Sequence, residues 1–209
     1  MKPAITALLA SGTVFFLLKA LRKGEGYNFS HNYPPLPPFI ENRVKQKEYG
    51  RLDRNSPLLV PVDSYGKQQF LHVLARDRLD ALKEAAAQDG FTNILVASGW
   101  RPHRWASWDQ YVQKMISRYG SLKEGRRWVA YNSPHETGLA IDFGSHGLMP
   151  TSATNAQQLQ TPFYKWLVNN AHRFGITPYK GEAWHWEVKV PQDSWASGDE
   201  FTSDYGVYV

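Results

Sequence analysis

Two short stretches of this chain constrain its fold more than any other feature, because they must meet in space to do chemistry together. Residues 133–142 read SPHETGLAID and contain His135 and Asp142, and residues 182–185 read EAWH. The side chains of the two stretches include two imidazoles, one candidate carboxylate ligand and a further carboxylate for a base. A catalytic zinc site needs such a set: three protein ligands, an open coordination position and a base. The two stretches therefore predict a zinc hydrolase.

The residues around Asp142 and His185 alternate as they do in β-strands. In residues 139–143 the bulky side chains point one way, while Asp142 points the other way between two small residues, which leaves space above it for an ion. In the predicted strand 183–190, His185 shares its small and polar face with Glu187. If these two strands pair, we expect Asp142 and His185 to converge.

The residue pattern leaves the general base open between two glutamates. Glu187 lies on the same face as His185 by the two-residue period of a strand. Glu182 precedes His185 by three residues and would face the wrong side of an ideal strand. Gly181, however, allows the strand to begin later, with Glu182 on an irregular approach. The period alone favours Glu187, and both remain candidates.

Arg101 is the candidate for a functional cation. It follows the predicted strand 93–98 in a loop, and strand-end loops commonly carry functional side chains. A guanidinium there is suited to pairing with a substrate carboxylate or a developing oxyanion. His103 and His146 lie near the two stretches, and we expect them to support the metal ligands rather than to bind the ion.

The other periodicities predict a small α+β domain. Apolar residues at spacings of three and four predict helices over 69–88 and 106–119. Thr161 and Pro162 mark the start of a further helix, and Gly175 marks its end. Strands are predicted at 58–62, 93–98, 139–143 and 183–190, and residues after Pro191 look irregular. We expect one domain with a central antiparallel sheet flanked by helices.

The N-terminal segment predicts export. Residues 5–18 are apolar or small and have basic residues on both sides. This run is short for a spanning helix and near the length of a signal-peptide core. We favour an uncleaved signal-anchor, with a cleaved signal peptide or a buried helix as alternatives. The domain prediction is a signal-anchor or signal peptide at 1–23, a Pro-rich linker at 24–42 and the zinc peptidase domain at 43–209.

Charge and cysteine content exclude other kinds of site. The formal net charge is +5, but the first 23 residues hold four of the 24 basic side chains and no acidic one, which leaves 20 basic against 19 acidic side chains. Without a long-range positive field on the body, no nucleic-acid partner is expected. The chain has no cysteine, so a metal must be held by histidine and carboxylate.

Three motifs resemble those of the VanY-type zinc D-Ala-D-Ala carboxypeptidases. SPHETGLAID fits SxHxxGxAxD, EAWH fits ExWH, and SGWR at 98–101 resembles SGYR, in the same order along the chain. The resemblance covers roughly residues 74–190. It implies that His135, Asp142 and His185 bind Zn²⁺. It also implies that Glu182 rather than Glu187 is the general base, and that Arg101 polarises the scissile carbonyl or steadies the tetrahedral intermediate.

The same resemblance implies a substrate and a location. The expected substrate is a peptidoglycan stem peptide ending in D-Ala-D-Ala, met outside the cytoplasmic membrane, to which the N-terminal segment would hold the domain. Trp100 replaces the family's tyrosine, and the residues after Arg101 also depart from its pattern. These departures leave two alternatives: a peptidoglycan endopeptidase of the same fold, or a zinc-containing wall-binding module without turnover.

Overall fold

The computed structural model describes residues 41–144 and 148–200. The predicted signal-anchor, the predicted linker up to residue 40 and His146 lie outside the described residues. Within the described ranges, no helix has the length and apolar character needed to cross a membrane. The regular elements, in chain order, are α1 (Gln46–Tyr49), β1 (Leu59–Val62), β2 (Gln69–His72), α2 (Val73–Gln88), β3 (Val96–Ser98), α3 (Trp108–Tyr119), α4 (Leu122–Trp128), a 3₁₀ turn (Pro134–Thr137), β4 (Ala140–Phe143), α5 (Asn155–Gln158), α6 (Pro162–Asn170), a second 3₁₀ turn (Ala171–Phe174), β5 (Ile176–Pro178), β6 (His185–Val188) and α7 (Gln192–Ser197).

Two antiparallel sheets form the β layer. Strands β3, β4, β6 and β5 lie in that order in a four-stranded sheet, and β1 pairs with β2 in a two-stranded one. Helices flank these sheets. The predicted α+β class with an antiparallel sheet is therefore confirmed.

The four-stranded sheet has one apolar face and one polar face. Ile141 pairs with Trp186 across β4 and β6, and both side chains are buried in the core with Leu79 of α2 and Phe163 of α6. Burying each such side chain contributes about 1.5–3 kcal/mol. The opposite face carries the polar residues. Helices α2 and α6 pack on the apolar face, so the polar face remains available for the site.

The predicted helix over 69–88 is wrong at its start. Residues Gln69–His72 form strand β2, and the helix begins at Val73. His72 has a non-helical backbone (φ −58°, ψ 142°), and its Nδ1 accepts the N–H of Leu74 at 3.2 Å as an N-terminal cap. The apolar spacing continued through the cap, so the pattern did not reveal the change from strand to helix.

Several short elements were not predicted, among them α1, α5 and the 3₁₀ turn before β4. Residues 192–197, expected to be irregular, form α7, and Trp195 of that helix donates its indole N–H to the Thr137 carbonyl at 2.9 Å. Helix α4 and the three-residue edge strand β5 were also missed. Helix α7 thereby packs behind the turn that carries His135.

Candidate metal centre

Strand pairing brings two of the three predicted ligands together. In the β4–β6 register Asp142 lies opposite His185, and the Nδ1 of His185 is 2.9 Å from Oδ1 of Asp142. Ser98 of β3 pairs with Asp142 from the other side. The convergence expected from the alternation of both strands is therefore confirmed.

The third predicted ligand comes from a capped 3₁₀ turn. The Ser133 hydroxyl accepts the N–H of His135 at 3.3 Å, and the Glu136 carboxylate accepts the N–H of Ser133 at 3.1 Å. Gly138 then takes a left-handed conformation (φ 74°) and leads the chain into β4. The turn points the Nε2 of His135 at Asp142, 3.3 Å from its Oδ1.

The three side chains form a buried group that could hold a metal ion. One ligand atom each from His135, Asp142 and His185 lies within 4.8 Å of the others, and all three residues are buried. Two imidazole nitrogens and a carboxylate oxygen are a donor set that Zn²⁺ prefers. Three protein ligands also leave a coordination position open, as in catalytic sites.

Each imidazole has its second nitrogen held by a hydrogen bond. His135 Nδ1 donates to the Gly99 carbonyl oxygen at 2.6 Å, and His185 Nε2 donates to Oε1 of Glu187 at 2.9 Å. Such bonds fix the tautomer and the ring orientation of a metal-binding histidine. His135 would therefore bind through Nε2, and His185 through Nδ1.

Burial and charge set different protonation states for the two histidines. Burial lowers the pKa of His135, although Asp142 opposes this effect. Burial also acts to lower the pKa of His185, but its hydrogen bonds to Asp142 and Glu187 outweigh that and raise it to about 9. For Asp142, burial acts to raise the pKa, and the two histidines more than offset it and hold the pKa far below its usual range. Without metal, a neutral His135 and a protonated His185 therefore flank an ionised Asp142.

Glu187 is fully engaged by neighbouring donors. Its carboxylate accepts hydrogen bonds from His185 Nε2, the backbone N–H of Val44 and Nη2 of Arg43, the last at 2.9 Å. The side chain is 1% exposed. The residue pattern had favoured Glu187 as the base by its face, and the contacts give it the different role of orienting His185.

Glu182 lies on the irregular approach to β6 that Gly181 suggested. Strand β6 begins only at His185, whose N–H donates to the Glu182 carbonyl at 3.1 Å. Partial burial raises the pKa of the Glu182 carboxyl, with opposing contributions from His185 and Arg101. In the part of the chain that the structure describes, this carboxyl makes no hydrogen bond. It is therefore a partly desolvated carboxylate near the ligand group that is available to accept a proton.

Arg101 lies beside the same group. Its backbone N–H donates to the His135 carbonyl at 3.2 Å, which fixes the SGWR loop to the ligand turn. Burial lowers the pKa of its guanidinium, and the negative charges of Asp142 and Glu182 counteract this. The guanidinium forms no hydrogen bond or ion pair with residues 41–144 or 148–200. A partly buried cation of this kind is available to a ligand.

A further buried carboxylate was missed by the sequence reasoning. Glu136 contacts Arg51 Nε at 2.7 Å and His103 Nδ1 at 3.0 Å, and it completes the cap of the His135 turn. The spacing of Ser133 and Glu136 is that of a capping box, so the signal was present in the sequence. His103, predicted to support the ligands, contacts Glu136 and not a ligand.

Comparison with known protein families finds a match. The family model VanY, described as D-alanyl-D-alanine carboxypeptidase, matches residues 68–195. This range contains the three predicted ligands, Glu182 and Arg101. A search of curated proteins finds no relative that matches.

Solved structures resemble the chain at low sequence identity. The structure of the LdcB LD-carboxypeptidase, reported to reveal peptidoglycan recognition, has a TM-score of 0.50 and 24% identity, and the match covers 70% of this chain and 75% of that one. VanYB in complex with D-alanine-D-alanine has a TM-score of 0.44 and 22% identity, over 71% and 88% of the two chains. A vancomycin-resistance D,D-pentapeptidase VanY mutant with Zn(II) has a TM-score of 0.44 and 21% identity, over 78% and 90%. At such identities the LdcB likeness speaks for the fold alone.

Proposed function

Because this chain belongs to the VanY family of D-alanyl-D-alanine carboxypeptidases, we propose that it is a zinc-dependent peptidase acting on peptidoglycan stem peptides, with release of the terminal D-Ala as its main reaction. One observation carries the proposal. The buried group of His135, Asp142 and His185 lies beside a partly desolvated Glu182 whose carboxyl has no hydrogen-bond partner among the described residues.

The zinc ion would be held by His135 Nε2, His185 Nδ1 and a carboxylate oxygen of Asp142. When bound, zinc lowers the pKa of water to about 7 and polarises a carbonyl group. The hydrogen bonds from His135 to Gly99 and from His185 to Glu187 keep the ligand nitrogens aimed at one point. The chain therefore supplies a rigid binding site whose histidines need little reorganisation.

Glu182 is proposed as the general base. Its carboxylate would accept the proton of the attacking water and return it to the leaving amine. The raised pKa of this carboxyl suits both steps, because a base works best when its pKa lies near the working pH. Glu187 is a poor candidate, since three donors already occupy its carboxylate.

Arg101 is proposed to stabilise negative charge on the substrate. A guanidinium without a protein partner, beside the ligand group, is suited to donating to the oxyanion that forms from the scissile carbonyl. The backbone bond to His135 couples its position to the metal ligand. The alternative target of the same cation is the terminal carboxylate of the peptide.

The substrate class implies action outside the cytoplasmic membrane, where stem peptides are exposed. The apolar segment 5–18 remains our prediction for the element that takes the domain there. The choice between a carboxypeptidase and an endopeptidase depends on how the residues around the site receive the peptide beyond the cleaved bond. We favour the carboxypeptidase because the family match spans all three motifs.

A digestion of defined stem peptides by zinc-loaded protein tests the proposal. The substrates are a stem ending in D-Ala-D-Ala, a stem ending in a single D-Ala and a cross-linked dimer, with products identified by mass spectrometry. We expect free D-Ala from the first substrate. The matched control, Glu182→Gln, should bind zinc but release no D-Ala.

The other outcomes identify the alternatives. Monomers released from the dimer without free D-Ala would indicate an endopeptidase. Release of D-Ala only from the stem with a single D-Ala would indicate an L,D-carboxypeptidase. Stoichiometric zinc with no hydrolysis of any substrate would indicate a binding module and would refute the proposed peptidase.

A further inference from the structure

Residues 41–44 contact the strands of the metal centre from outside the range that the family model matches. They reach both β5 and the turn after it. The Asn42 N–H donates to Thr177 Oγ1 at 3.3 Å, and Glu41 Oε1 accepts the N–H of Lys180 at 2.7 Å. Val44 is 4% exposed, within the core. The segment is thus fastened along β5, next to the strand that carries His185.

Arg43 touches two of the groups that surround the His185 imidazole. Its Nη2 lies 2.9 Å from Oε1 of Glu187, the atom that also accepts from His185 Nε2. Its guanidinium carbon lies 3.9 Å from the centre of the Tyr179 ring. That ring packs edge-to-face on His185, with 5.9 Å between centroids and an 86° interplanar angle. One side chain therefore contacts both the hydrogen-bond acceptor and the aromatic neighbour of the ligand.

The backbone of the same segment fixes the second oxygen of Glu187. The Val44 N–H donates to Oε2, so the carboxylate is held at both oxygens by residues 43 and 44. A carboxylate fixed in this way can accept from Nε2 in only one ring orientation, which directs Nδ1 at Asp142. Partners of metal ligands of this kind typically change metal affinity 10–100-fold when they are removed.

We infer that segment 41–44 completes the metal centre, with Arg43 as a positioning residue that acts on His185 through Glu187 and Tyr179. The inference rests on the proposed function, since it takes His185 to bind zinc. It assigns a role in zinc retention to residues that precede the matched family region. A substitution in segment 41–44 should therefore change the affinity for zinc.

Zinc affinity of the full-length protein, measured by competition with a chromogenic chelator, tests the inference without using peptidase activity. We expect Arg43→Met to weaken zinc binding about tenfold. Arg43→Lys should recover most of the loss, because it keeps a cation within reach of Glu187. Arg127→Met is the matched control, since Arg127 makes an exposed ion pair with Glu124, away from the site. Its zinc affinity should equal that of the parent.

A double variant separates positioning from general damage. If Arg43 acts through Glu187, Arg43→Met should weaken binding much less in a Glu187→Gln background than in the parent. Additive losses, or equal affinity of Arg43→Met and the parent, would overturn the inference. If circular dichroism shows that Arg43→Met is not folded, Arg43→Gln replaces it in the same comparison. A parent protein that binds no zinc would instead refute the proposed function.

Discussion

At the scale of single residues, two glutamates near His185 have opposite environments. Glu187 is buried and accepts three hydrogen bonds, whereas Glu182 is partly buried and its carboxyl has no hydrogen-bond partner in the described ranges. The strand period favoured Glu187, because it reports the face of a side chain and not the donors that other segments bring to it. Two of the three donors to Glu187 come from residues 43 and 44, which no pattern around His185 reveals.

Glutamine substitutions at the two positions should therefore impair different properties of the protein, kcat in one case and zinc affinity in the other. We expect Glu182→Gln to lower kcat about 10²–10⁴-fold with stoichiometric zinc retained, because it removes the proton acceptor alone. Glu187→Gln should instead weaken zinc binding about 10–100-fold and regain most activity at saturating zinc. Metal analysis and kcat on the same preparations measure both. Loss of kcat in Glu187→Gln at saturating zinc would mean that Glu182 is not the base and that the proposed assignment is wrong.

Removal of the Arg101 cation should lower kcat/KM more than it lowers zinc affinity. We expect Arg101→Met to lower kcat/KM about 10²-fold, because one charge-stabilising donor is lost. Zinc affinity should remain near that of the parent. Arg104→Met, which removes an exposed neighbouring cation, is the matched control and should change kcat/KM little. Equal losses in the two variants would indicate general electrostatic attraction of the substrate rather than a directed contact.

Zinc affinity should depend on pH through a single histidine. In the metal-free protein the pKa of His185 is about 9, so below that pH a proton must leave the ring before zinc binds. Burial lowers the pKa of His135, so that ring is already neutral in most of this range. We expect the apparent Kd to fall about tenfold per unit of rising pH between 6.5 and 8, measured in chelator-buffered zinc. A twofold steeper slope would mean that both histidines release protons.

At the scale of elements, the strands that carry the predicted ligands were recognised from their alternation, and β1 was also predicted, whereas β2 and β5 were not. The alternation around Asp142 and His185 was strong because one face must be apolar and the other must stay open for the site. Strand β5 has only three residues, and its pairing with β6 rather than its own pattern holds it. Helix α4 was missed although Ser121 and Glu124 have the spacing of a capping box.

The turn between His135 and Asp142 depends on Gly138. Both Gly138 (φ 74°) and Gly120 (φ 81°) adopt a left-handed backbone, but a Cβ at 138 would lie 2.8 Å from the backbone nitrogen of His72, whereas one at 120 would meet nothing within 4 Å. Gly120→Ala should lower the free energy of unfolding by about 1 kcal/mol from the backbone alone. Gly138→Ala should lower it by at least about 1 kcal/mol more, because His72 must move. Urea unfolding of both variants measures the difference, and equal losses would refute the steric argument.

At the scale of the whole molecule, the site joins segments that are far apart in sequence. His135, Asp142 and His185 come from a turn and two strands, Glu182 from the approach to β6, and Arg101 from the loop after β3. Only the folded sheet brings His135, Asp142 and His185 close enough together to hold one ion. The sequence could predict the participants from their residue types. It could not predict the hydrogen bonds that orient them, because some of these come from other segments.

Zinc should therefore stabilise the folded chain as a whole, since the unfolded chain cannot present the three ligands together. At a free zinc concentration of one hundred times Kd, the free energy of unfolding should rise by about 2.7 kcal/mol over the chelator-treated protein. His135→Ala should lose most of this gain, whereas Arg101→Met should keep it, because Arg101 is not a ligand. Each variant is compared with itself with and without zinc, so the intrinsic cost of the substitution cancels. A gain that persists in His135→Ala would place the stabilising ion somewhere other than this group.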